Sequence, residues 1–184
     1  MTFPDTFITA RLEAERLEPR HLSEIRRMHR DEAVMAHLGG VRTEKQTLAY
    51  FARNLKHWED YGFGLWVVRE RGGDDAIGRA VLRHVSIDGV DEVEVGYAFY
   101  APFWGLGLAT EVTAACLGLA REPLGFGTVV ALTAPGNAAS QHVLRKSGLS
   151  YEREISHDGM ACALFRIRWA LAEDRAAGVP EHAR

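Results

Sequence analysis

The chain has 184 residues, 47% of them hydrophobic, which is enough for one complete core and short for two. A net charge of −3 argues against a protein that works by coating nucleic acid or lying on an anionic membrane, because both need a basic excess, and leaves room only for a local basic patch. Two cysteines, Cys116 and Cys162, are too few for a disulfide framework or a zinc cluster, and read as buried apolar residues in a reducing, cytoplasmic setting.

The start, Met1-Thr2-Phe3-Pro4-Asp5, has no basic n-region and no apolar stretch of the secretory type. No segment approaches the ~20 apolar residues of a membrane span. From Ile8 to Leu17 apolar and polar residues alternate with period two, predicting a half-buried strand that ends before Pro19. Leu22, Ile25 and Met28, then Val34, Met35 and Leu38, predict one or two short amphipathic helices closed by Gly39-Gly40. Thr43 with Gln46 three residues on is a capping box, opening a helix whose inner face is expected to carry Leu48, Phe51, Leu55 and Trp58.

Strands are predicted at Phe63–Glu70, Ala76–Ile87 and Glu92–Tyr100, joined by short turns that imply antiparallel neighbours. Leu108 to Glu122 reads as a helix and Thr128–Thr133 as a buried strand, so strand, glycine turn, helix and strand form a βαβ unit with parallel pairing. Asn137 opens a further helix closed by Gly148. Strands at about Ser150–Ile155 and Cys162–Leu171 then flank the turn His157-Asp158-Gly159. The expected fold is one mixed α/β domain over residues 1–172, its sheet antiparallel early and parallel at the centre, followed by a flexible tail over 173–184.

The chemistry concentrates at Trp104-Gly105-Leu106-Gly107-Leu108-Ala109-Thr110-Glu111, between a strand and a helix. Glycines there let main-chain N–H groups converge at the helix start, a site suited to phosphate or pyrophosphate. A dinucleotide fingerprint fits poorly, since Thr110 stands where a third small residue belongs, and the G-x-x-x-x-G-K-[ST] pattern of nucleoside triphosphate loops is absent. On the turn alone, a phosphate cradle and a plain structural turn fit equally.

This stretch, with Thr9-Ala10-Arg11-Leu12, Gly62-Phe63-Gly64-Leu65-Trp66, Ile77-Gly78, Val95-Gly96-Tyr97 and Asn137-Ala138-Ala139-Ser140, resembles the GNAT superfamily of N-acetyltransferases. The likeness is strongest to the RimJ/RimL-like branch, and it runs from about Thr9 to Ala170. It implies a central mixed, mostly antiparallel sheet splayed at its middle with helices on both faces, and acetyl-CoA as co-substrate. By the same resemblance, Trp104, Gly105, Leu106, Gly107, Leu108, Ala109 and Thr110 form the coenzyme A loop. Main-chain groups of Tyr97, Ala98 and Phe99 grip the thioester, Asn137 meets the pantetheine arm, and Ser140 serves the departing sulfur. Where many relatives carry a Tyr seven residues after the Asn as general acid, this chain has Leu144.

Glu94, on the strand before the loop, is the preferred general base; the alternation of Asp91, Glu92 and Glu94 with Val93 and Val95 equally fits a solvent-facing residue. Ser140 and Glu94 are thus the candidate catalytic residues. His29, Asp31, Glu32 and His37 lack H-E-x-x-H spacing, and no metal site is expected. Ser140-Gln141-His142 is no triad, because near neighbours on a helix do not face each other. The acceptor is expected to be a primary amine, either a protein N-terminus or a small molecule such as a polyamine, amino acid or aminoglycoside. An acidic lining opposite the cofactor would favour cationic amines. The missing Tyr leaves a non-catalytic acyl-CoA-binding or interaction module as the alternative. An edge strand near the C-terminus offers a pairing surface for a homodimer.

Overall fold

The computed structural model describes residues 5–169, so the expected tail over 173–184 lies outside the described residues. The first predicted strand is a hairpin of two: β1 (Thr6–Ile8) pairs antiparallel with β2 (Leu12–Arg16). The break comes at Thr9, whose hydroxyl accepts from the Leu12 N–H at 3.0 Å while its own N–H donates to the Leu12 carbonyl at 2.9 Å. Period-two alternation runs straight through such a turn and hides it.

Helices α1 (Leu22–Arg30) and α2 (Glu32–Met35) follow, separated by Asp31, whose carboxylate accepts from the Val34 N–H at 2.9 Å and caps α2. Of the acidic and histidine residues of this stretch, Asp31 is thus a helix cap, His29 is buried against Thr47, and Glu32 and His37 are exposed. Helix α3 (Glu44–Tyr61) opens with the expected capping box between Thr43 and Gln46 and ends at Gly62 in the left-handed region, φ 73°. Its buried face carries Thr47, Tyr50, Phe51, Asn54 and Trp58, whereas Leu48 is 43% exposed. The helix is rotated away from the purely apolar reading because Thr47 and Asn54, polar residues on its buried face, find partners: Thr47 meets His29 and Asn54 donates to the Tyr50 carbonyl.

The strands β3 (Leu65–Glu70), β4 (Ala76–Ile87), β5 (Val90–Phe99), β6 (Thr128–Thr133), β7 (Ser150–His157) and β8 (Met160–Arg168) complete one eight-stranded sheet in the order β1-β2-β3-β4-β5-β6-β8-β7. Helix α4 (Leu108–Arg121) joins β5 to β6, and α5 (Ala138–Lys146) joins β6 to β7. Gly64, just before β3, is dictated by packing, since a Cβ there would sit 2.7 Å from the Trp58 indole. That indole donates to the Leu65 carbonyl at 2.8 Å and meets Trp66 edge-on.

Every neighbouring pair in the sheet is antiparallel except β5 with β6, which is parallel and registers at Glu94↔Val130. Beyond Glu94 the two strands part, and the sheet splays at its middle. The main core runs under this sheet through Leu12, Trp66, Val68, Leu82, Val112, Cys116 and Phe165, and Leu144 of α5 is buried within it. Cys116 is fully buried, and burial pushes its thiol up to about 12.

Candidate active site

Gly105 and Gly107 both take positive φ, 73° and 79°, in the left-handed region that side-chain-bearing residues avoid. Gly107 is the N-cap of α4, and no side chain caps it. The first N–H groups of α4 therefore face outward at the positive end of a fourteen-residue helix. A Cβ on Gly105 would meet open space and one on Gly107 would stand 3.6 Å from Arg11 Nη2, so these glycines serve conformation and leave room for an approaching phosphate. Leu106 is 54% exposed and Leu108 is buried, and Ala109 and Thr110 are half-buried in the first turn. Trp104 is 53% exposed, and its indole N–H donates to the Phe99 carbonyl at 2.7 Å, tying the loop to the end of β5.

A second tether lies outside the loop. Glu111, in the first turn of α4, accepts from the Thr9 hydroxyl at 2.6 Å, the Arg11 N–H at 2.8 Å and Arg11 Nε at 2.7 Å. Burial alone would raise the Glu111 pKa, but these bonds outweigh it and hold the carboxyl below its ordinary value. Arg11 Nη1 also donates to the Leu106 carbonyl at 2.8 Å. The β1–β2 turn thus clasps the glycine loop from behind and sets a guanidinium beside it. Thr9 and Arg11 were legible only as part of a family resemblance, because their partner is about a hundred residues away.

The splay places the other predicted residues on two faces, as strand alternation requires. Tyr97 lies on one face, where its hydroxyl meets Ser140 Oγ at 3.0 Å and bridges β5 to α5. Burial raises the Tyr97 pKa, against a smaller lowering by the Ser140 bond, so the phenol keeps its proton at neutral pH. Asn137 caps α5 by accepting from the Ser140 N–H at 3.0 Å, which leaves its side-chain NH₂ for another partner. Leu144, in the usual Tyr position, is core and faces no site. Ala98 and Phe99 are buried, and β5 has no registered partner on its β6 side at these residues.

Glu94 is 6% exposed, so the solvent-facing alternative fails. Its Oε2 accepts from Arg83 Nε at 2.6 Å, a partner directly across the β4–β5 ladder. The nearby Glu94 charge raises the Arg83 pKa, outweighing burial, and fixes an ion pair at the floor of the splay. By alternation Glu94, Gly96 and Ala98 share one face of β5, opposite to the face of Tyr97; across the ladder Arg83, Val81 and Arg79 share it on β4. The structure therefore separates the predicted residues. The glycine loop, Tyr97, Ser140 and Asn137 gather on one side, and Glu94 stands on the other.

Such an arrangement suits a donor with a pyrophosphate and a long arm reaching into the gap from the loop side, and an acceptor arriving from the Glu94 side. Among the described residues no group of three or more His, Cys, Asp or Glu is placed to hold a metal ion.

Residues 11–150 match the acetyltransferase (GNAT) domain family. The chain is 31% identical over 125 residues to the uncharacterized protein YkkB of Bacillus subtilis (strain 168), covering 68% of this chain and 73% of that protein. Its fold is that of an acetyltransferase from Agrobacterium tumefaciens str. C58, with a TM-score of 0.79 at 22% identity over 92% of this chain and 96% of the other. It is also that of the spermidine N-acetyltransferase from Vibrio cholerae solved with CoA and spermine, with a TM-score of 0.70 at 16% identity over 85% and 95%. The family match spans most of the chain and contains the loop, the splay and Ser140 alike: the protein is a member of the GNAT acetyltransferase family.

Proposed function

We propose that the protein transfers the acetyl group of acetyl-CoA to a primary amine by direct attack within a ternary complex. The observation that carries this reading is the uncapped α4 N-terminus, with its two left-handed glycines, beside the gap where β5 leaves β6. The N–H groups of Leu106 to Thr110 would hold the pyrophosphate, with Arg11 adding charge at the same edge. The Asn137 NH₂ would meet the pantetheine arm. Acetyl-CoA supplies the activated thioester, and main-chain N–H groups of Tyr97 to Phe99 on the open edge of β5 would polarise its carbonyl.

Two proton movements remain. Tyr97, still protonated at neutral pH and hydrogen-bonded to Ser140, would give a proton to the leaving sulfur through that serine, replacing the Tyr that Leu144 displaces. Glu94 would take the amine's proton at Oε1, directly or through a water, since Arg83 occupies Oε2. An α-amino group, with a pKa of about 8, needs this base less than an alkyl amine near 10.4. A reducing cytoplasmic setting accords with the two buried free cysteines. The edge position of β7 accords with pairing in a homodimer.

Incubation with acetyl-CoA and a panel of peptides and small amines tests the proposal. Acetylated amine and free CoA should form in equal amounts. Tight CoA binding without turnover on any amine would point to the non-catalytic module.

A further inference from the structure

The acceptor face of the splay is basic. Around the buried ring of Tyr50, on α3, the guanidinium carbons of Arg42, Arg79 and Arg53 stand 4.6, 5.6 and 5.8 Å from the centroid. Tyr50 is 2% exposed and Arg79 8%, whereas Arg42 is half-buried and Arg53 exposed, so the cluster runs from solvent at Arg53 inward to the buried Arg79. Among the described residues Arg42, Arg53 and Arg79 have no carboxylate partner, whereas Arg83 has Glu94. Burial above all holds Arg42 below its ordinary pKa; Tyr50 acts next, in the raising direction, and Arg79, Arg53 and Arg83 each lower it.

Three buried polar atoms in the same cluster lack a hydrogen-bond partner among the described residues: Tyr50 Oη, Arg79 Nε and His29 Nε2. Such atoms are costly to leave unpaired. Tyr50 Oη and Arg79 Nε are donors, and His29 becomes one when Nε2 carries the ring proton and Nδ1 accepts from Thr47. Uncompensated guanidiniums together with orphaned donors are completed by an anion, and a planar carboxylate matches the guanidinium fork. The location defines whose anion it is. Arg79 and Arg83 share the face of Glu94, away from Tyr97 and Ser140, so the charge belongs with the amine and not with the phosphates of the donor.

We infer that the accepted amine carries a carboxylate, held by Arg79, Arg42 and the Tyr50 hydroxyl while its nitrogen lies toward Glu94. This rests on the acetyl-transfer reading above. It sets the protein apart from an acetyltransferase of cationic polyamines, for which an acidic lining is needed. Both a free amino acid and a peptide N-terminus followed by Asp or Glu present this chemistry.

The test compares matched amines with acetyl-CoA: amino acids against their amides, peptides with Glu or Asp at the second position against Gln or Asn, and spermidine. The carboxylate member of a pair should be favoured in kcat/KM by about tenfold to a hundredfold, as a charge-assisted pair provides. The arm showing the preference identifies a free amino acid or an acidic N-terminus as the source. Arg79→Met should bring the ratio near one and Arg79→Lys should restore part of it, with Arg42→Gln as the second variant should Arg79→Met fold poorly. Equal rates for the twins, or a preference for spermidine, would overturn the inference while leaving acetyl transfer intact. If no amine turns over, melting shifts with N-acetyl amino acids and their amides, measured with CoA present, decide the matter without catalysis. A larger shift with the acids, lost in Arg79→Met, supports the anion site; equal shifts overturn it.

Discussion

The two sides of the splay are built on opposite principles. The donor side is made of main chain: glycines at positive φ, an uncapped helix start and the unpaired edge of a strand. The acceptor side is made of side chains brought from α1, α3, β4 and the loop before α3, around one phenol. Main-chain recognition tolerates changes of side chain and keeps one donor. Side-chain recognition can be altered residue by residue, so the acceptor can change while the donor stays.

The contrast breaks most sharply at Gly107. Gly107→Trp puts a bulky residue at φ 79° on the donor side, and acetyl-CoA affinity should fall beyond about a hundredfold by titration calorimetry, with the fold retained by circular dichroism. Glu94→Gln acts on the other side: turnover should drop by about a hundredfold, most strongly below the amine's pKa, with acetyl-CoA affinity kept. An unchanged pH–rate profile would remove Glu94 as the base. Tyr97→Phe and Ser140→Ala should each lower kcat by about tenfold, and the double variant should cost little more, because the two act as one unit.

Smaller effects sharpen the comparison. Arg11→Ala loosens the clasp on the loop and should raise the KM for acetyl-CoA severalfold without changing the preference among amines. His29 is fully buried on the acceptor side, and burial, then Arg42 and Arg79, hold its pKa down to about 3 from 6.5. The folded state therefore favours neutral His29. That contribution to stability is present above pH 6.5 and is lost as pH falls toward 3. Denaturant titrations across that range should show a loss that His29→Gln flattens.

What could be read from the chain follows the same division. The capping box at Thr43, the strands Ala76–Ile87 and Thr128–Thr133 and the glycine loop are local patterns, and each appears where its spacing indicates. The hairpin turn at Thr9 escaped because the period-two alternation runs on through its local Thr9–Leu12 bonds, and the burial of Thr47 in place of Leu48 escaped because its bond to His29, on another helix, decides it. On the donor side the loop and Asn137 were legible through the family resemblance, Asn137 also as the cap that opens α5. The Tyr97–Ser140 pair spans 43 residues, and Arg79, Arg42 and Tyr50 meet only once α3 lies over β4. No spacing in the sequence encodes such a meeting.

In the proposed reaction the splay joins an acetyl donor on one face to an amine on the other. Mass spectrometry of amines incubated with acetyl-CoA, alongside measurement of released thiol, tests it most directly. One acetylated amine should form for every thiol released, and Gly107→Trp should lose both. Thiol release with no acetylated amine, or tight CoA binding with neither product across peptides and small amines, would contradict it.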